Sequence, residues 1–397
     1  MRSQRACAST VEIVLSSCSD RTPLKKEPPV TSASLSADHL FTPSAQPRRM
    51  SEAQRAAILE DPGFGDYFTD YMVRKRWRSE GGWEQGRVEP YGPLSIEPAS
   101  AVLHYGQEIF EGLKAFRHED GSVWTFRPAK NAERMRTSAE RLALPLISDE
   151  DFIGSLRALV QADEPWVPSG GEASLYLRPF MFANENFLGV RSSRVVEYLV
   201  IASPAGDYFP RGVQPLVVWV SPLAARAGRG GTGFAKCGGN YASSLQGKAQ
   251  ALAEGADEVM FLDSETHTAI DELSGMNVFV LYRDGRLVTP LLTGSILPGV
   301  TRDSIMQLGR DRGLDVQEAR VCFDELTQQI ESGEVAEIFA CGTAAVINPI
   351  GELRAGDSAW TVGDGGSGET TMSLRAQLTD IQDGRAEDPH GWMVRLA

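Results

Sequence analysis

The chain has 397 residues, long enough for two domains with cores of their own. Hydrophobic residues at 42% and charged residues at 23% describe an ordinary soluble globular chain, and a net charge of −14 argues against a nucleic-acid surface. Five widely spaced cysteines argue against a disulfide framework, the scattered histidines offer no metal-ligand pair, and no apolar run reaches the roughly 18 residues of a membrane span.

Residues 1–49 differ in kind from the rest. They are rich in Ser, Thr and Pro, lack apolar periodicity, and are expected to be a disordered extension, or to lie upstream of a true start at Met50. The run at 11–15 is interrupted by Glu12 and is too short for a secretory leader, and Glu12, Asp20, Glu27 and Asp38 count against a transit peptide. The odd, widely spaced cysteines fit a reducing compartment, and the cytoplasm is expected. From Ser51 the pattern turns globular. Residues 83–98 and 103–116 read as alternating strands and tight turns. Residues 131–142 read as a helix with Met135, Ala139 and Leu142 on one face, and 152–160 as another using Phe152, Leu156 and Leu159. Residues 174–183 and 196–202 are strong strand candidates. The stretch 203–212 holds two prolines and two glycines and reads as a linker. The expected organisation is a small domain over 50–203, a linker at 204–212 and a larger domain over 213–397.

The second half opens on an apolar strand at 216–220 and reaches one lysine, Lys236, in a glycine-rich turn. Gly230, Gly231 and Gly233 precede it; Gly238 and Gly239 follow. From Tyr241 the pattern is helical, with Leu245, Ala249 and Leu252 as its apolar face and Gly255 as its stop. Residues 258–262 and 277–282 read as strands, and 297–313 as a turn feeding a helix with Ile305 and Leu308 inside. A strand around 338–340 ends in Cys341-Gly342-Thr343-Ala344-Ala345, and a last helix carries Leu374, Leu378 and Ile381.

A lysine without acidic neighbours in sequence can be kept poorly paired, and desolvation lowers an amine's pKa, as a Schiff-base lysine needs. The plain alternative is a solvated loop residue. Nucleotide loops are excluded, because Gly233 is followed by Phe234 and the GxGxxG register lands on Lys236. The turn Pro298-Gly299-Val300-Thr301 offers free N–H groups to an anion at a helix start, or is a simple cap at Thr301. Arg127 ends a strand and could reach the same anion. Glu272 is an acid between apolar residues, and Tyr241, five residues beyond Lys236, could aim its hydroxyl at that amine or pack in the core.

These parts occur in an order that resembles the branched-chain amino-acid aminotransferases of the fold-type IV pyridoxal-phosphate enzymes. The resemblance runs from about Asp61 to Trp392. Its pieces are LHYGQEIFEGLKAF (103–116), FRPAKNAERM (126–135), SLYLRPF (174–180), YFPRG (208–212), KCGGNYA (236–242), ELSGMN (272–277), LPGVTR (297–302), CGTAAV (341–346) and DPHGWM (388–393).

The resemblance implies an α/β (α+β) two-domain fold, with a smaller N-terminal domain and a larger pseudo-barrel domain. It also implies pyridoxal 5'-phosphate held by Lys236 as a Schiff base. Arg127, Val300, Thr301 and Thr343 would take the phosphate, Glu272 the ring nitrogen and Tyr241 the ring oxygen. Tyr105, Phe110, Tyr176 and Tyr208 would form the apolar wall, with Tyr105 reaching a partner's site in a homodimer. Arg178 would meet glutamate's distal carboxylate, and Thr343-Ala344 the α-carboxylate. The implied reaction moves the amino group of L-leucine, L-isoleucine or L-valine to 2-oxoglutarate by a ping-pong route. No metal, nucleic acid or membrane is implied. D-amino-acid aminotransferases and aminodeoxychorismate lyases share the fold and the lysine; an inactive cofactor-binding homologue is a further alternative. The pairing of Tyr176-x-Arg178 with the 342–344 turn fits the first two less well, and the intact set of Lys236, Glu272, Tyr241 and Arg127 argues against the third. Ala345 to Asn348 follow that turn where some animal members carry C-x-x-C, so no redox switch is implied.

Overall fold

Runs of β-branched and aromatic residues build two sheets, and helices fill the space against them. The computed structural model describes residues 40–43, 49–206 and 212–397. In the first sheet the order is Phe41–Pro43, Gly86–Pro90, Tyr71–Arg78, Val195–Ala205, Ser174–Ala183, Leu113–Arg117, Val123–Phe126 and Met393–Arg395. Glu108–Phe110 pairs with Ser174–Ala183 off this path. The second sheet runs Ile270–Leu273, Glu258–Leu262, Leu216–Val220, Val346–Ala355, Val335–Gly342, Asn277–Tyr282, Arg286–Pro290 and Asp315–Ala319. Leu216–Val220 pairs parallel with both of its neighbours, while Val335–Gly342 is antiparallel to both of its own.

Each sheet has its own core. Phe152, Leu156 and Leu159 of helix Asp149–Ala162 and Met135 of helix Pro128–Arg141 cover the first. A further cluster joins the sheets: Phe116 and Phe126 pack with Phe279, Phe339, Leu374 and Trp392. The last strand, Met393–Arg395, pairs with Val123–Phe126, so the C-terminus closes the first sheet after the chain has built the second.

Three sequence expectations differ from the structure. Phe41–Pro43, inside the segment expected to lack order, forms a strand on Gly86–Pro90, and Phe41 is buried; residues 1–39 and 44–48 lie outside the described residues. Residues 103–105 belong to a short helix, Ala101–Tyr105, closed by Gly106 in the left-handed conformation, rather than to a strand. Leu245, Ala249 and Leu252 do form one stripe of helix Gly238–Ala253, but it points outward: Leu245 is 64% and Leu252 59% exposed. The buried face is Asn240, Ser244, Gly247 and Ala251. Small residues are needed there because a Cβ on Gly247 would lie 2.9 Å from the Phe261 ring. Gly247→Val is therefore expected to cost about 1–3 kcal/mol of stability in urea unfolding. A valine variant as stable as the parent would mean that helix and strand can part.

Candidate active site

Lys236 lies in the turn that leads into helix Gly238–Ala253, with Cys237 as the N-cap residue. The turn is pinned from both ends. Asn240 donates to the carbonyls of Thr232 and Ala235, both at 2.8 Å, and accepts from the Thr232 hydroxyl at 2.7 Å. A Cβ on Gly233 would sit 2.2 Å from the Ser295 carbonyl oxygen, so only glycine permits this approach. The backbone of Lys236 is held by the first half of the chain: its N–H donates to Ser138 Oγ, and its carbonyl accepts from the Phe110 N–H, each at 2.9 Å. Its Nζ donates to the Tyr241 hydroxyl at 2.7 Å and stands 4.9 Å above the Phe110 ring. The side chain is thus fixed in place by a phenol and an aromatic face. Glu108 accepts from the Gly238 N–H at the helix start, and burial pushes its carboxyl up from the ordinary value.

Glu272, on strand Ile270–Leu273, is 1% exposed. Its carboxylate accepts from the Leu297 N–H at 2.9 Å and pairs with Arg226 at 2.7 Å. Burial pushes its carboxyl up to about 7; the Arg226 charge works in the other direction. Asn277 ties this acid to the next element: its Nδ2 donates to the Leu297 carbonyl at 3.0 Å and lies 3.4 Å from Glu272. A Cβ on Gly299 would fall 2.1 Å from Asn277 Oδ1, which is why the turn into the following helix must be glycine there.

That helix, Val300–Asp311, starts from Gly299 with no side-chain cap, so Thr301 is not the capping residue. Its first N–H groups are left for a ligand, at the positive end of the helix dipole. Arg127 has a left-handed backbone at the start of helix Pro128–Arg141 and donates to Ser304 and Asp303 of this same helix, both at 2.6 Å. Val300, Thr301 and Thr343 line one cavity with Asn131, Lys114 and Gly112. An uncapped helix end beside an arginine and two threonines fits a phosphate. With Lys236 close enough for its charge to act on the buried Glu272, the residues fit a phosphorylated aldehyde carrying a basic ring nitrogen.

The substrate-side residues divide into those the structure gathers and those it does not. Phe110, Tyr176 and Arg178 come together: the Arg178 guanidinium stands 4.9 Å from the Phe110 ring centre and 5.2 Å from that of Tyr176, and donates to the Tyr176 hydroxyl at 3.2 Å. Its buried Nε meets no acceptor among the described residues, so the fork keeps capacity for a ligand. Thr343 and Ala344 form the turn between Val335–Gly342 and Val346–Ala355. Tyr105 stands apart. It is 38% exposed, donates to the Leu188 carbonyl, and lines an open hollow with Cys237 and Gly239. Tyr208 lies outside the described residues.

Sequence reasoning missed four charged groups. Arg226, 46 positions before Glu272, gives no local signal of that pairing. Glu111 and Arg134 form a buried bidentate pair, both bonds 2.8 Å, and Arg134 also donates to the Pro298 carbonyl at 3.1 Å. Lys114 donates to the Ala344 carbonyl at 2.9 Å, and burial lowers its amine to about 8. For Glu111 and Lys114 a signal did exist: each is a lone charge in the mostly apolar run IFEGLKAF (109–116).

The amino-transferase class IV family profile matches residues 108–353. A branched-chain-amino-acid aminotransferase of Mycolicibacterium smegmatis is 52% identical over 360 residues, covering 90% of this chain and 98% of that protein. Among solved structures, the branched-chain amino acid aminotransferase from Escherichia coli aligns with a TM-score of 0.65 at 28% identity, over 82% of this chain and 99% of that one. A T.th. branched-chain amino acid aminotransferase with pyridoxamine 5'-phosphate aligns with a TM-score of 0.67 at 27% identity, over 81% and 98%.

Proposed function

The chain belongs to the branched-chain-amino-acid aminotransferases of amino-transferase class IV, and from that premise we propose which of its residues carry the reaction. It is a transaminase that uses pyridoxal phosphate and moves the amino group of L-leucine, L-isoleucine or L-valine reversibly to 2-oxoglutarate. The observation that carries the site assignment is the 2.7 Å bond from Lys236 Nζ to Tyr241, with the Lys236 charge acting on the buried Glu272 and Glu272 bonded to the Leu297 N–H just ahead of the uncapped helix at Val300. Bound pyridoxal phosphate supplies an aldehyde for amine exchange and a ring that, protonated at nitrogen, draws electron density from the substrate Cα.

The chain's own residues do the rest. Val300, Thr301, Thr343 and Arg127 hold the phosphate. Glu272 as carboxylate keeps the ring nitrogen protonated. Lys236 Nζ is the base that takes the proton from the substrate Cα and later returns it; Tyr241 orients that amine by accepting its hydrogen bond. Phe110 and Tyr176 form an apolar wall for a branched side chain. Arg178, on the same wall, takes the distal carboxylate of glutamate through its fork. The Thr343-Ala344 turn receives the α-carboxylate that all these substrates share.

We also propose that the unit is a homodimer. Leu188, Val190, Leu245 and Leu252 are apolar and exposed, and the half-exposed Tyr105 would reach the partner's site. The proposed domains are residues 50–203 and 213–397, with 204–212 as linker; strand Met393–Arg395 of the second crosses back to the first sheet. The cytoplasm is the proposed compartment. A sedimentation mass equal to one chain would sink the dimer.

The test is an absorbance spectrum of the protein loaded with pyridoxal phosphate. L-leucine should bleach the visible band and 2-oxoglutarate should restore it. Bleaching by D-alanine with L-leucine inert would instead assign a D-amino-acid enzyme. A pH prediction follows from Glu272. In the protein before cofactor binding its carboxyl sits near 7, whereas the bound ring nitrogen requires the carboxylate. Below about 7 a proton must leave, so cofactor affinity should fall by up to about tenfold per pH unit. Glu272→Gln should bind more weakly and lose that slope; the phosphate's own titration is common to both proteins. Equal slopes in the two would remove Glu272 from this role.

A further inference from the structure

The turn that follows strand Val335–Gly342 is held by buried donors from three different elements. Lys114, from the first sheet, donates to the carbonyl of Ala344. Arg375, on the C-terminal helix Glu369–Gln382, is 3% exposed, and its Nη1 donates to the carbonyls of Ala345 at 2.8 Å and Ile347 at 2.9 Å. Asn348, with its amide nitrogen toward them, donates to the same two carbonyls at 3.2 and 3.0 Å. Between those carbonyls lies Val346 with φ +60°. A β-branched residue in the left-handed region is unfavourable and persists only where its surroundings over-determine it. Arg375, together with Asn348, supplies that determination, since one guanidinium nitrogen holds both carbonyls at once.

The other side of Arg375 reaches the opposite substrate wall. Its Nη2 pairs with Glu172, which lies two residues before strand Ser174–Ala183, the strand that carries Tyr176 and Arg178. Among the described residues no acceptor meets the amide N–H of Thr343 or Ala344, which leaves both for an anion.

We propose that Arg375 is a positioning residue for substrate. By clamping Val346 in its strained form and tying the turn to the Tyr176–Arg178 strand through Glu172, it sets the distance between the α-carboxylate site and the side-chain wall. This rests on the reading that Thr343-Ala344 takes the α-carboxylate. Because every substrate carries that group, loss of the clamp affects amino acid and 2-oxo acid alike, unlike loss of Arg178, which affects only the acidic pair.

The test is steady-state kinetics of the holoenzyme with L-leucine and 2-oxoglutarate, together with amide hydrogen exchange of the 341–347 segment without substrate. Arg375→Met should raise KM for both substrates about tenfold, keep kcat within about threefold, and speed exchange of that segment about tenfold. Arg375→Lys should recover part of the loss. Val346→Gly in the Arg375→Met background should also lower both KM values again, because glycine needs no clamp at φ +60°. Glu172→Gln, which keeps Arg375 but loosens it, should raise both KM values about threefold, and serves as the reading if Arg375→Met does not fold. The proposal is overturned if only the 2-oxoglutarate KM moves, if kcat and thermal stability fall while KM stays, or if glycine at 346 restores nothing. A parent enzyme that fails to exchange L-leucine with 2-oxoglutarate would instead overturn the underlying reading, before any variant is made.

Discussion

Replacing Lys236 with alanine is expected to lower kcat/KM for L-leucine by at least about 10³-fold while leaving the protein folded. Two proposed roles disappear with one amine: the covalent hold on the cofactor aldehyde and the base that moves the Cα proton. No neighbour can substitute. The Tyr241 hydroxyl is bonded to Nζ, but a phenol cannot stand in for an amine in a Schiff base. Glu272 is committed to Arg226 and the Leu297 N–H, and Glu111 to Arg134. Folding should survive because the turn is built by backbone contacts that alanine keeps, with Ser138 and with the Phe110 N–H. The measurement is single-turnover conversion of L-leucine, with thermal unfolding as the control. A variant that retains a tenth of the parent rate would remove Lys236 from the chemistry. A variant that unfolds would show that its side chain, and not only its backbone, supports the turn.

The same contacts show what the sequence made legible. Strands 174–183, 216–220, 258–262 and 277–282 were legible to the residue, because each is a short run dense in β-branched, aromatic and other apolar residues, too short for a buried helix. The helix after Lys236 was legible as a helix but not in its orientation. Periodicity finds a stripe of leucines; it does not say whether the stripe meets a strand or a second chain, and here Gly247 and Ser244 take the inside because the backbone must approach Phe261 closely. The residues of the proposed phosphate site were legible through order along the chain and then through the family. Their supports were not. Arg226 with Glu272, and Arg134 with Pro298, join positions far apart in sequence, and a lone arginine in a sequence reads as a surface residue until its partner is known.

The pair at the centre of those supports carries the largest stability effect. Glu111 is fully buried and accepts from both nitrogens of the Arg134 fork, from Asn131 at 2.8 Å and from the Gly112 N–H at 3.2 Å. Burial would raise its carboxyl, but Arg134 more than offsets that and holds it below the ordinary value. Arg134→Met removes the counter-charge and leaves the carboxyl in the same apolar surroundings. The expected loss is about 3–5 kcal/mol of unfolding free energy near neutral pH. The sign of the pH dependence separates this cause from lost packing. In the parent the depressed carboxyl contributes stability above its unfolded pKa and loses it as pH falls. In Arg134→Met the carboxyl is raised, the folded state binds the extra proton, and stability falls as pH rises. The gap between the two proteins should therefore widen from about pH 5 to about pH 8, and Glu111→Gln added to Arg134→Met should close much of it at the upper end. Denaturant unfolding at the two pH values decides it: a gap that is constant with pH, or unmoved by Glu111→Gln, would mean that the arginine acts through packing alone. Cofactor affinity should not follow stability in this rescue. Arg134 also fixes the Pro298 carbonyl, two residues before Val300 of the proposed phosphate site, and the double variant still lacks that bond, so it should fold like the parent yet hold pyridoxal phosphate less tightly.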